Sequence, residues 1–69
     1  MRIDLNLIES HINNNAHVLD LGCGSGDLLL HLQKHKSVTG IGLEIDPEYI
    51  LQCIKKGVNV IEHNLNSGL

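Results

Sequence analysis

Gly22, Gly24 and Gly26 alternate directly after the apolar run Val18-Leu19-Asp20-Leu21. Such spacing removes side chains where backbone must approach a ligand and permits the dihedrals of a sharp turn. An acid stands before the turn, Asp20, and another, Glu44, follows Gly22 by twenty-two positions at the end of a second apolar run. A carboxylate at that place can accept hydrogen bonds from both hydroxyls of a ribose. Asn64, just past a third apolar run, carries an amide able to read an adenine edge, with Ile45 packing against the ring. Asp20 could reach an ammonium group of the ligand directly or through water, and could equally bond the backbone amides of the glycine loop. These residues describe a nucleoside site. Each has a plainer alternative: a strand-to-helix turn for the loop, a solvated acid for Glu44, an ordinary turn residue for Asn64.

The nucleoside can be narrowed. The dinucleotide fingerprint G-x-G-x-x-G requires Gly or Ala at position 27, where this chain has Asp27. A carboxylate there opposes a pyrophosphate at a helix N-terminus, whereas the sulfonium cofactor S-adenosylmethionine carries no phosphate. The methyl donor is therefore favoured over a nicotinamide dinucleotide. No side chain is identifiable as a catalytic base for an acceptor. Cys23 lies in the loop near a helix N-terminus, which can lower a thiol pKa, but it has no evident base partner and is read as a small loop residue. His31 and His35 stand four apart on a helix, yet spacing indicates no third ligand. They are expected to form a solvent-facing pair and no metal site is assigned, while His11, His17 and His63 carry no motif.

The elements that must position these residues follow from periodicity. Asp4 can cap a first helix with Leu5, Ile8 and Ile12 on one stripe, ended by Asn13-Asn14-Asn15. A strand follows from His17 to Leu21. After Gly26, the run Leu28-Leu29-Leu30 and Leu32 is helix-forming, with Lys34, His35 and Lys36 at the negative pole. Val38, Thr39, Ile41, Leu43 and Ile45 read as a buried strand interrupted by Gly40 and Gly42. Asp46 is placed as N-cap and Pro47 as the first residue of the next helix, with Tyr49, Ile50, Cys53 and Ile54 as its buried stripe and Gly57 at its end. Val58, Val60 and Ile61 form a third strand before the loop from Asn64 to Gly68. Strand, helix, strand, helix, strand implies an α/β, Rossmann-like parallel sheet of order 3-2-1 with flanking helices. In this order the second edge of the first strand is unpaired and apolar, a surface for self-association or docking.

Composition bounds the rest. Sixty-nine residues form at most one domain with a marginal core, here aliphatic because Tyr49 is the sole aromatic. A net charge of −3 and five Lys and Arg in all give no basic footprint for nucleic acid. No apolar stretch approaches the length needed to span a bilayer, so no membrane partner is expected. Two cysteines thirty positions apart, and no signal-like N-terminus, make a reducing cytoplasm the default.

The stretch Val18 to Gly26, with Gly42-Leu43-Glu44-Ile45-Asp46-Pro47-Glu48 and Gly57-Val58-Asn59-Val60-Ile61, resembles the class I S-adenosylmethionine-dependent methyltransferases. The segment Gly42-Leu43-Glu44-Ile45-Asp46-Pro47, the stretch from Cys53 to Val60 with its Lys56-Gly57-Val58-Asn59-Val60 core, and the closing Asn64-Leu65-Asn66-Ser67-Gly68-Leu69 resemble more narrowly the MetW family of methionine biosynthesis. The resemblance implies the N-terminal half of a class I methyltransferase fold over residues 1–69, a single partial domain that stops after the third strand. It implies that Asp20, Gly22, Gly24 and Gly26 form the loop for S-adenosylmethionine or S-adenosylhomocysteine and that Glu44 holds the ribose. It further implies a link to homoserine O-acyltransferase as a partner. Asn64 stands where the family usually has an aspartate, retaining an acceptor oxygen without the charge. The strands and acceptor pocket expected beyond the third strand are missing, so the isolated chain is expected not to be catalytic. A non-catalytic module docking on the acyltransferase or on a missing half is the alternative.

Overall fold

A computed structural model of the chain describes residues 4–68. Leu69, the last residue of the closing segment singled out above, lies outside the described residues. The elements run α1 (Leu5–Ser10), β1 (His17–Leu21), α2 (Asp27–Lys36), β2 (Thr39–Glu44), α3 (Pro47–Lys56), β3 (Val60–Glu62) and a 3-10 turn at Leu65–Ser67. The three strands are parallel in the order β1-β2-β3, with β2 central. Leu21 pairs with Leu43 and Glu44 with Glu62, so the carboxyl ends of the strands lie along one edge of the sheet. That edge is where ligands settle in open α/β sheets.

Helix boundaries follow local chemistry. Asp4 caps α1 through its carboxylate, which accepts from the Leu7 amide at 3.1 Å. The helix stops at Ser10, short of Ile12, because the Ser10 hydroxyl turns back to the Leu7 carbonyl at 2.6 Å and His11 forms the cap. Asn15 then takes a left-handed conformation, φ 63°, as an asparagine turn allows. Asp46 caps α3 by accepting from the Glu48 amide at 2.9 Å, with Pro47 in the first turn. The end of α3 is a Schellman motif: Gly57 is left-handed, its N–H reaches the Ile54 carbonyl, and the Val58 N–H reaches that of Cys53 at 2.9 Å. Since the helix end consumes the Val58 amide, β3 starts at Val60 and not at Val58.

The core lies between the sheet and one layer of helices. Leu29 and Cys53 are fully buried and Val58 nearly so, with Val18, Cys23, Leu30 and Val60 packed around them. Two expectations are corrected here. Gly40 and Gly42 do not interrupt β2, which is continuous; they clear space for the layer above. A Cβ on Gly40 would meet Leu29 Cδ2 at 2.8 Å, and one on Gly42 would meet Cys23 Sγ at 2.4 Å. The stripe assigned to α3 is also too wide: Cys53 is buried and Ile50 partly so, but Tyr49 and Ile54 are exposed. A three-stranded sheet is too narrow to cover four positions of that helix. On the opposite face Leu19, Ile41 and Ile61 stand exposed, as does Leu21 at the end of edge strand β1.

Candidate functional site

The glycine loop joins β1 to α2 and is held from both sides. The Gly22 and Cys23 amides both donate to the Leu43 carbonyl, at 2.8 and 3.1 Å, fixing the loop to the end of β2. All three glycines have positive φ, 69°, 57° and 84°, which other residues adopt only under strain. Beyond this shared conformation their roles divide. A Cβ on Gly22 or Gly24 would meet no atom of the described residues within 4 Å, so open space lies above both. Gly26 is buried, and a Cβ there would meet Cys53 Sγ at 2.9 Å and Val58 at 3.3 Å. Its bareness serves the packing of α2 on α3, and it lines neither cavity of the site.

Two open cavities meet at Gly22. The larger, about 520 Å³, lies over Asp20, Gly22, Gly24 and Ser25 and is walled by Leu5 and Tyr49. Its size is in the range of ligand pockets. The smaller, about 160 Å³, is bounded by Gly22, Glu44, Ile45, His63, Asn64 and Leu65. Six of the seven residues singled out for cofactor binding thus line these two cavities, which share Gly22, and Gly26 lines neither. Tyr49, Ser25 and His63 were not foreseen. Tyr49 had a signal, being the sole aromatic of the chain on the first turn of α3, but its spacing matched the core stripe. His63 and Ser25 had none beyond lying next to residues that did.

Glu44 lines the smaller cavity and bonds to Gly24 in the lining of the larger. Its Oε1 accepts from the Gly24 amide at 2.8 Å, and its Oε2 accepts from the Ile45 and Asp46 amides at 3.0 and 3.1 Å. These backbone donors, those of Asp46 and Gly24 foremost, hold the Glu44 carboxyl below the ordinary carboxylate range. Asp20 is partly buried, and desolvation pushes its pKa up. Of its two anticipated roles, bonding the loop amides falls to Glu44 instead, which leaves the Asp20 carboxylate facing the larger cavity. Asn64 caps the 3-10 turn by accepting from the Asn66 amide at 2.9 Å, and among the described residues nothing else engages its side-chain NH2 or the second lone pair on its oxygen.

The underside of the loop is clamped. Lys56, at the end of α3, donates to the Ser25 carbonyl at 3.1 Å and to Asp27 at 2.6 Å, and this hydrogen bond lowers the Asp27 pKa. Cys23 Sγ lies 3.9 Å from Cys53 Sγ. Burial, and then the Cys53 contact, push the Cys23 thiol up to about 12, which suits a packing residue and not a nucleophile. The histidine pair departs from expectation. His35 is exposed, but His31 is largely covered because α1 packs on α2 and brings Glu9 over it.

With this geometry in place, the chain can be set beside known proteins. A family model described as methionine biosynthesis protein MetW matches residues 2–69. The bifunctional methionine biosynthesis protein MetXA/MetW of Rhodopirellula baltica is 32% identical over 77 residues, covering 100% of this chain and 12% of its own length. Among solved structures, an S-adenosylmethionine-dependent methyltransferase from Thiobacillus denitrificans, crystallised with S-adenosylhomocysteine, superposes with a TM-score of 0.80 at 22% identity. The match covers 88% of this chain and 29% of that one. A TehB-like S-adenosylmethionine-dependent methyltransferase from Corynebacterium glutamicum gives 0.78 at 25% identity, covering 88% and 34%. The chain therefore spans between 12% and 34% of these relatives, and its three parallel strands with flanking helices have the methyltransferase Rossmann-like fold. No described helix is long and apolar enough to cross a membrane.

Proposed function

The chain belongs to the MetW family, and from that premise we propose that it is the S-adenosylmethionine-binding portion of a methyltransferase linked to methionine biosynthesis. The two cavities that share Gly22, with Glu44 bonded across to Gly24, support this reading most. The methionine half of the cofactor runs over Gly22 and Gly24, where no Cβ intervenes, and its ammonium group faces Asp20. The ribose rests on Glu44, and the adenine lies in the smaller cavity against Ile45, its edge met by Asn64. Gly26 shapes the loop from below. A carboxylate offers about four acceptor sites, and three on Glu44 already take backbone amides. One ribose hydroxyl finds a vacant site, and the second displaces a backbone donor.

When bound, S-adenosylmethionine supplies a methyl carbon already activated by its sulfonium. The protein's remaining task is to position an acceptor and take its proton where needed. The sequence singles out no side chain for that task, and the 69-residue chain is expected to show negligible methyl transfer alone. Its two free cysteines fit a reducing, cytoplasmic setting. Titration of the 15N-labelled chain with S-adenosylhomocysteine tests the assignment. Amide shifts at Gly22, Gly24, Glu44, Ile45 and Asn64 are expected; shifts confined to other regions, or none, overturn it.

The bare sheet face at Leu19, Ile41 and Ile61, with the open edge of β1, favours a second role as a docking module. Its proposed partner is homoserine O-acyltransferase, or a second copy of the chain. Sedimentation of the chain alone and mixed with the acyltransferase separates the two, and a lone monomer in both samples excludes this role.

A further inference from the structure

We propose that Glu9, His31 and His35 form a binding site for a divalent transition metal of the zinc class, joining α1 to α2. Sequence spacing offered two ligands on one helix turn; the fold supplies the third from another helix, twenty-two residues upstream of His31. Glu9 Oε1 lies 2.7 Å from His31 Nε2 and 3.8 Å from His35 Nδ1, and the three ligand atoms lie within 4.8 Å of one another. With metal–ligand bonds near 2.0–2.2 Å, a tetrahedral centre separates its donors by roughly 3.4 Å. The observed distances fall on both sides of that value, so side-chain adjustments of about 1 Å close the shell around an ion. The imidazole rings already lie together, centroids 4.4 Å apart with a tilt of 34°.

A histidine–carboxylate ion pair is the competing reading, and the direction of the ring nitrogen weighs against it. Although Nε2 of His31 is 2.7 Å from the carboxylate, the contact lacks hydrogen-bond geometry, and among the described residues no other group pairs with this buried nitrogen. Burying a polar atom unpaired is costly, and a metal would satisfy it. Two imidazoles and one carboxylate suit zinc, cobalt or nickel over magnesium or calcium, which prefer oxygen shells. His35 is 55% exposed, so the fourth position opens to water. The groove beside the pair also holds Lys34 and Asp27; the nearby Lys34 charge opposes a cation, while Asp27 is already paired with Lys56.

The site would matter for α1, which is six residues long and contains no buried residue. Helices this short do not persist alone. A metal bridge would fix α1 on α2, and with it Leu5, which borders both this groove and the larger cavity over the glycine loop.

The test is a titration of the full 69-residue chain, reduced and metal-free, with zinc by calorimetry and with cobalt by visible absorption. One equivalent of zinc, a cobalt spectrum of four-coordinate character without sulfur charge-transfer bands, and a rise in Tm with zinc are expected. His31→Ala, His35→Ala and Glu9→Gln should each weaken zinc binding on the order of a hundred-fold, as losing a direct ligand costs at least as much as losing its outer-sphere support. His63→Ala, a change at an unrelated histidine, should leave affinity unaltered. Because His35 is exposed, its variant keeps the test decisive even if His31→Ala fails to fold. Absence of zinc binding, or binding that survives both His35→Ala and Glu9→Gln, overturns the proposal.

Discussion

Replacing Gly42 by alanine probes the contact that ties β2 to the glycine loop. The new Cβ would lie 2.4 Å from Cys23 Sγ, 2.7 Å from Cys23 Cβ and 3.3 Å from Leu29 Cδ1, where ordinary contacts begin at 3.4 Å. Relief needs a movement of about 1 Å in a well-packed region, and overpacking of that kind costs roughly 1–3 kcal/mol. The cost should fall in the upper part of this range, because Cys23 cannot move freely: its amide and that of Gly22 are both anchored on the Leu43 carbonyl. For a chain of this size each kcal/mol lowers Tm by about 4–8 °C, so Gly42→Ala should lose roughly 10–20 °C in a thermal melt followed by circular dichroism. Cys23→Gly removes both clashing atoms, and in that background the same substitution should cost less by on the order of 1–2 kcal/mol. S-adenosylhomocysteine binding should weaken in Gly42→Ala and recover in the double variant if Cys23 carries the strain into the loop. A Gly42→Ala protein as stable as the parent, or equally destabilised in both backgrounds, would refute the reasoning.

Leu29→Ala empties the centre of the core and should cost about 2–5 kcal/mol, enough to leave so small a domain largely unfolded in a urea titration at room temperature. Asp20→Asn removes a carboxylate that burial disfavours; it should raise Tm at neutral pH, with the gain vanishing in acid as wild-type Asp20 takes up its proton. The same variant should bind S-adenosylhomocysteine about ten-fold or more weakly, through loss of the charged partner of the ammonium. Glu44 and Asp27 act with the opposite sign. Their carboxyls are held low in the fold, so the stability they contribute is present above the ordinary values of 4.5 and 3.8 and is lost as pH falls through the lowered ones. Melts of Glu44→Gln and Asp27→Asn against pH should converge with the parent in strong acid. Lys56→Met breaks a pair whose Asp27 partner is largely open to solvent, so its effect on stability should stay within about 1 kcal/mol and shrink in salt.

The residues of the two cavities were legible in the sequence where they sit at an element boundary. Gly22, Glu44 and Asn64 follow the three apolar runs, and a parallel sheet brings such positions to one edge. Asp46, Pro47 and Gly57 marked the ends of α3 by cap chemistry alone. What escaped depended on lateral packing. Gly40 and Gly42 read as breaks until α2 and Cys23 were seen to occupy the space above them. Tyr49 has the right period for the core, but the sheet beneath α3 is too narrow to cover it. Gly26 shares its spacing with Gly22 and Gly24, and only the position of Cys53 separates a packing glycine from those that border the cavity. Glu9 joined His31 and His35 through the docking of one helix on another, a relation with no periodic trace in the chain.

Isothermal titration of the folded chain with S-adenosylmethionine, S-adenosylhomocysteine and NAD, repeated on Glu44→Ala, tests the central claim most directly. Saturable 1:1 binding of the two sulfur nucleosides, none of NAD, and loss of at least ten-fold in affinity in the variant are predicted from two hydroxyls held by one charged acceptor. A folded chain that binds neither sulfur nucleoside, or binds them equally well without Glu44, would contradict the account.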